Sequence, residues 1–318
     1  MSRKRSAAAP PGGVRVLQVE RREEGVRLDL FLVTALPELS RKQAKRLVDG
    51  KRVAVNGRID AMASRSLRCG DRVEVQVQAP EPRREAQPAS LSVVYEDAHC
   101  LAVDKPPGLP SGPTRDPKRL HAAHLAGAQS GRQLVLLHRL DKDTSGVLLL
   151  AKSREFATAL GDAFKHRQVE KLYLALACGR RPQAGTVTSH LREGDADRMH
   201  TVRSGGMKAV TELRTLAGAG EYWAVEARPH TGRTHQIRVH LAQADCPILG
   251  DALYGGAARV GPQLVPRQML HACRLAFEHP ATGQRLEIVA PLPEDFCSVA
   301  RAALGERLPA VLGPFLGP

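Results

Sequence analysis

Two kinds of hydrophobic pattern divide this chain. Near the N-terminus apolar residues are sparse and periodic. Ala44, Leu47 and Val48 share the spacing of one helix face, and Arg41, Lys42, Lys45 and Arg46 remain for the other. Ser40-Arg41-Lys42-Gln43 has the form of a capping box at the start of this helix. The period then changes to two. Val53 and Val55 alternate, Asn56-Gly57 marks a tight turn, and Val73, Val75 and Val77 alternate again after Cys69-Gly70-Asp71. A basic helix leading into a small β-hairpin unit is therefore predicted over 23–78. Farther along, the apolar runs become continuous, as buried strands require: Leu91 to Tyr95, Cys100 to Val103, Leu134 to Leu137 and Val147 to Ala151. The last two runs flank a dense polar loop, His138-Arg139-Leu140-Asp141-Lys142-Asp143-Thr144-Ser145-Gly146. Two buried strands displaying such a loop can hold a reactive side chain rigidly.

Between the patterns, residues 79–90 read as a linker with three prolines and two arginines. The second unit is predicted over 91–302. A basic N-terminal tail (1–22) and an irregular C-terminal tail (303–318) complete the chain.

Charge sharpens the picture. The 318 residues carry a formal net charge of +14, with a pI near 10, a balance that favours a polyanionic partner such as nucleic acid. From Arg41 to Arg58 there are seven Lys/Arg against one acid, Asp49. Flanking a turn rather than alternating with acids, they suggest a phosphate-binding surface. No apolar run approaches the ~20 residues of a membrane span, and Met1 to Gly13 lacks the apolar core of a secretory signal. The six cysteines are scattered, without metal-ligand spacing. They read as small core residues in a reducing cytoplasm.

Candidate chemistry gathers in the second unit. No P-loop, dinucleotide fingerprint or metal-ligand spacing is present, so neither cofactor nor metal is expected. Asp141 and Asp143 tempt a two-carboxylate glycosidase reading, but residues two apart in an extended segment do not face each other across a substrate. Asp143 and His138 are expected to order the loop by hydrogen bonding. His235 and His240 lack further ligands for a metal. Thr234 to Ala242 reads as a helix capped by Thr234, with Ile237 and Leu241 inward and Arg238 in the first turn.

The N-terminal unit resembles an S4 RNA-binding domain, through Val26-Arg27-Leu28-Asp29, Ser40-Arg41 and Val53-Ala54-Val55-Asn56-Gly57. The loop at 138–146 resembles the RluA-type pseudouridine synthase signature His-Arg-Leu-Asp-x-x-Thr-Ser-Gly at every position. The likeness continues through Asp104-Lys105-Pro106-Pro107-Gly108-Leu109, Val169 to Leu176 with Tyr173, Thr231 to His240, Pro247 to Asp251, Leu253-Tyr254-Gly255, Leu270-His271-Ala272 and Ala290 to Pro293. It departs at Pro110 to Thr114, where many relatives carry a valine-histidine-proline run.

This resemblance implies an α+β fold: a mixed, mainly antiparallel sheet crossed by an active-site cleft, with the small S4-like domain in front. It implies isomerisation of uridine to pseudouridine in structured RNA, most often large-subunit ribosomal RNA, though some relatives modify transfer RNA. Asp141 would be the catalytic carboxylate and Arg238 its ion-pair partner. Tyr173 would stack on uracil and act late as a base. Arg139 would help fill the space left by an extruded base, and His138, Thr144, Arg233 and His235 would complete the substrate site. Arg41, Lys42, Lys45, Arg46, Lys51 and Arg52 would grip RNA. A monomer without cofactor, metal or membrane is expected. The competing reading is a non-catalytic RNA-binding or ribosome-assembly protein, and a further one is a glycosylase that releases free uracil.

Overall fold

The chain divides into two units, residues 1–87 and 88–318. A computed structural model describes residues 14–36, 39, 41–50, 52–59, 62–76, 90–114, 116, 119–194 and 198–305, without the side chains of 14, 42, 46, 58 and 76. Ser40, Lys51, Val77 and the linker residues 79–89, with the side chains of Lys42 and Arg46, lie outside the described residues.

The N-terminal unit contains β1 (Val14–Gln18), α1 (Leu28–Ala35), α2 (Arg41–Asp49), β2 (Val53–Val55), β3 (Arg58–Ile59) and β4 (Arg72–Gln76). Its antiparallel sheet has the order β1-β4-β2-β3. The predicted apolar face holds: Ala44 and Val48 of α2 pack with Leu28, Phe31 and Leu32 of α1 against Val53, Val55, Val73 and Val75. The turn at Asn56-Gly57 has positive φ at both residues, 53° and 76°, the geometry this pair adopts most readily. The Asn56 amide donates to Asp71 and its oxygen accepts from the Arg72 N–H, both at 2.9 Å. Arg41, Lys45 and Arg52 are exposed. One difference concerns residues 14–18, which the sequence pattern leaves in the tail. All five pair with β4. The partner lies far along the chain, so no local turn announces the strand.

The second unit contains β5 (Ser92–Glu96), β6 (Cys100–Lys105), α3 (Ala122–Ser130), β7 (Val135–Leu136), β8 (Ser145–Ala151), α4 (Arg154–Lys165) and β9 (Glu170–Cys178). It continues with β10 (Gly185–Glu193), β11 (Met199–Val202), β12 (Met207–Ala219), β13 (Tyr222–Pro229), α5 (Gln236–Gln243), β14 (Arg259–Val260), β15 (Gln263–Leu264), β16 (Leu270–Glu278), β17 (Arg285–Val289) and α6 (Glu294–Leu304). An 11-stranded sheet runs β11-β10-β12-β13-β9-β16-β8-β6-β5, with β17 on β16 and β7 on β8. Every pair in it is antiparallel except β8 with β16. This is the mixed, mainly antiparallel α+β architecture expected. Among the described residues no helix is long and apolar enough to cross a membrane.

Strand β8 shows why its sequence is continuously apolar. Val147, Leu149 and Ala151 enter one core cluster, and Leu148 and Leu150 enter another on the opposite face. Five of the six cysteines are buried, all as free thiols.

Helix α5 corrects an expected boundary. It starts at Gln236, with His235 at the N-cap position in a left-handed conformation, φ 54°. Thr234 does not cap it. Instead the Gln236 Oε1 accepts from the Arg233 N–H at 3.1 Å and from the Thr231 hydroxyl at 2.6 Å. The Gln236 side chain thus ties down the turn that a threonine cap would have held. Ile237 and Leu241 face the core as predicted, and Arg238 stands in the first turn.

Candidate active site

The polar loop after β7 is fixed from several sides. Ser111 Oγ donates to the Leu140 carbonyl at 2.8 Å and accepts from its N–H at 2.9 Å. Lys105, fully buried, donates to the carbonyls of Pro106 and Leu109 at 2.8 Å and of Lys142 at 3.0 Å. Arg267 donates to the Asp143 carbonyl at 3.1 Å, and the Gln268 amide to Thr144 Oγ1 at 2.9 Å. His138 Nε2 accepts from the Leu149 N–H at 3.0 Å, and burial pushes its pKa down to about 3. At Gly146, φ is 113° and an added Cβ would lie 2.2 Å from the Ala272 carbonyl oxygen. The signature glycine is therefore needed where β8 meets β16.

The Asp141 carboxylate stands at the edge of this loop, about a quarter exposed. Its Oδ2 accepts from Arg238 Nη1 at 3.0 Å and lies 3.8 Å from His235 Nε2. Arg238 also forms a two-pronged pair with buried Asp251, at 2.7 and 2.8 Å, and its guanidinium lies 5.1 Å from the centre of the Tyr254 ring. Burial alone would lower the Arg238 pKa, but Asp251 and then Asp141 more than offset it and raise it. The cation is thereby locked in its charged form. Gly250 allows Asp251 its place: φ is 76°, and a Cβ would fall 1.9 Å from the Arg267 carbonyl oxygen.

Asp141 opens onto a cleft of about 880 Å³. Tyr173 enters from β9, its phenol pushed well above the ordinary range by burial and then by Asp141 and Cys273 nearby. All the catalytic and substrate candidates of the second unit line this cleft: Asp141, Tyr173, Arg238, Arg139, His138, Thr144, Arg233 and His235. They differ in what they offer. Arg139 and Arg233 are exposed, the latter bonded to the Lys208 carbonyl at 3.2 Å. Thr144 is 2% exposed, and its bond to Gln268 places it in the supporting wall. His235 Nδ1 is 3.0 Å from the Tyr254 hydroxyl, which accepts from the Met199 N–H at 2.9 Å.

Sequence reasoning gave no role to Ser111, Lys105, Lys171, Asp251, Tyr254 or Gln268. Asp251 had a usable signal, because an arginine on the buried side of a helix needs an acid. For Ser111 and Gln268 no local pattern announces the partner.

The comparisons agree with this geometry. A family model described as RNA pseudouridylate synthase matches residues 99–243, and an S4 domain model matches residues 26–60. "Ribosomal large subunit pseudouridine synthase D" of Xanthomonas campestris pv. campestris is 37% identical, covering 85% of this chain and 87% of the relative. The protein of the same name from Haemophilus influenzae is 32% identical, covering 92% and 95%. The chain belongs to the RluA family of RNA pseudouridine synthases. A solved structure, human RNA pseudouridylate synthase domain containing 4, is 29% identical with a TM-score of 0.55, covering 66% of this chain and 92% of that one. As a member of this family the protein is an RNA-acting isomerase, and its N-terminal unit carries an S4 domain.

Buried histidines of this synthase predict a pH response. His271 Nδ1 is 2.9 Å from Ser145 Oγ, and His240 lies between Thr211 and Ser189 at 2.8 and 2.9 Å. Both rings are fully buried, and burial pushes each pKa down to about 4. Between about pH 4 and 6.5 the unfolded chain binds protons that the native rings refuse, so stability falls as pH falls through this window. The expected loss is about 1 kcal/mol per pH unit for each ring. Urea unfolding at pH 7.0, 6.0 and 5.0 checks it, with His240→Gln and His271→Gln each flattening the slope. Slopes unchanged in both variants would refute the assignment.

Proposed function

We propose that this synthase acts on large-subunit ribosomal RNA in the cytoplasm, with Asp141 as the group acting at the ribose of the target uridine. The observation that carries the reading is the Asp141 carboxylate, held 3.0 Å from a doubly paired Arg238 at the mouth of a cleft walled by Tyr173. The ribosomal target is supported by the names of the relatives, by the S4 match and by the net charge of +14.

Pseudouridine formation breaks the N1–C1′ bond, turns the uracil and forms a C5–C1′ bond. The C5 proton leaves and N1 gains a proton, with no net oxidation. Cleavage builds positive charge on the ribose, which a nearby carboxylate stabilises. The same carboxylate can attack C1′ or remove a C2′ proton, and both routes need it ionised. Arg238 keeps it so. The base must leave the RNA stack to reach this depth. Arg139, exposed beside Asp141, can stack on neighbouring bases while holding phosphate. Tyr173 offers its ring to the uracil face.

The test is chemical mapping of pseudouridine after purified protein is incubated with unmodified ribosomal and transfer RNA transcripts. Discrete sites in large-subunit RNA are expected. Sites confined to transfer RNA would overturn the assigned target, and release of free uracil would overturn the assigned reaction.

A further inference from the structure

Lys171 lines the cleft two residues before Tyr173 on β9, so both side chains leave the same face of the strand. Its Nζ donates to the Thr231 carbonyl at 3.2 Å. Lys171 is half-buried, and among the described residues no carboxylate pairs with it, which sets it apart from the buried cations around it. Arg238 has Asp251 and Asp141, and Arg267 has Asp295 at 2.6 Å. Lys105 is held by three carbonyls, with Asp143 and Asp141 in electrostatic range. The adjacent acid, Glu170, is taken by Arg285 at 2.8 Å.

An ammonium withdrawn from water without an acid is costly until an anion joins it. Burial pulls the Lys171 pKa down to about 8, with no opposing carboxylate. Gly232 lies beside the ammonium and adds no side chain there: a Cβ built on it would touch Nζ at 3.9 Å. The anion an RNA substrate brings is its backbone phosphate, one on each side of the target ribose. With Asp141 at the sugar and Tyr173 at the base, the remaining charge to be placed is that phosphate. We propose that Lys171 binds a backbone phosphate flanking the extruded uridine and so sets how far the nucleotide enters the cleft. This rests on reading the cleft as the uridine site.

The experiment compares wild type, Lys171→Met and Lys171→Arg as full chains, on an RNA stem-loop carrying the mapped uridine, across a range of KCl. Lys171→Met is expected to raise KM about tenfold with the effect on kcat small, and to make the salt dependence shallower by about one phosphate contact. Lys171→Arg should restore most of both. A second readout starts from the wild-type enzyme and modifies the RNA instead. A neutral methylphosphonate placed singly on either side of the uridine should weaken wild type about tenfold at one linkage and leave Lys171→Met indifferent there. Wild type insensitive at both linkages overturns the proposal, as does a Lys171→Met enzyme with unchanged KM and salt slope. Absence of pseudouridine in every RNA given to wild type would instead sink the functional reading itself.

Discussion

Asp141→Ala is expected to lose at least about a thousandfold in kcat, roughly 4 kcal/mol of transition-state stabilisation. The carboxylate is the anionic group that the structure presents to the cleft beside Arg238, and no neighbour can replace it. Asp143 also lines the cleft, but the acids bonded to Arg238 are Asp141 and Asp251. Asp141→Asn should fail almost as badly, because an amide keeps the shape but not the charge. Folding should survive both changes, since Arg238 retains its two bonds to Asp251. Single-turnover assays with quantified pseudouridine, alongside thermal melts, provide the check. A folded Asp141→Ala enzyme within tenfold of wild type would remove Asp141 from its assigned role.

The second large effect concerns Asp251. Its carboxylate is 1% exposed and takes two of the guanidinium contacts of Arg238. Removing it leaves a buried cation with only the partly exposed Asp141 as counter-charge. Breaking such a pair from one side costs about 3–5 kcal/mol. Asp251→Ala is therefore expected to unfold at lower urea by that margin. The surviving enzyme should lose about a hundredfold in kcat, because a guanidinium shifted by an ångström no longer holds Asp141 in place. Replacing the pair together, with Arg238→Met and Asp251→Leu, should recover much of the stability and none of the activity. If Asp251→Ala unfolds within about 1 kcal/mol of wild type, the pair is not the support described here.

Much of this protein was legible along the chain because the deciding physics was local. The Asn56-Gly57 turn needs two positive φ angles, and those residues adopt them readily. The continuous apolar run of β8 reports a strand buried on both faces, whereas β7, on the other side of the polar loop, is only two residues long and half-buried. The signature at 138–146 named the loop, and the side chains it implicated do line one cleft. What the sequence could not decide was pairing at a distance. Strand β1 was missed because its partner β4 is remote. Helix α5 was started too early because Gln236, not Thr234, holds its first turn.

The decisive contact, Arg238 with Asp141, joins residues 97 positions apart. The chain alone determined which residue types were available, and the segments in which they would be stiff. Only the folded sheet, by laying β16 beside β8 and β9, decided which charges would meet and which, like Lys171, would be left facing the cleft without a carboxylate. The cause is that hydrogen-bond and hydrophobic periodicity act over a few residues. Desolvation and ion pairing depend on what lies within a few ångströms in space, whatever the separation along the chain.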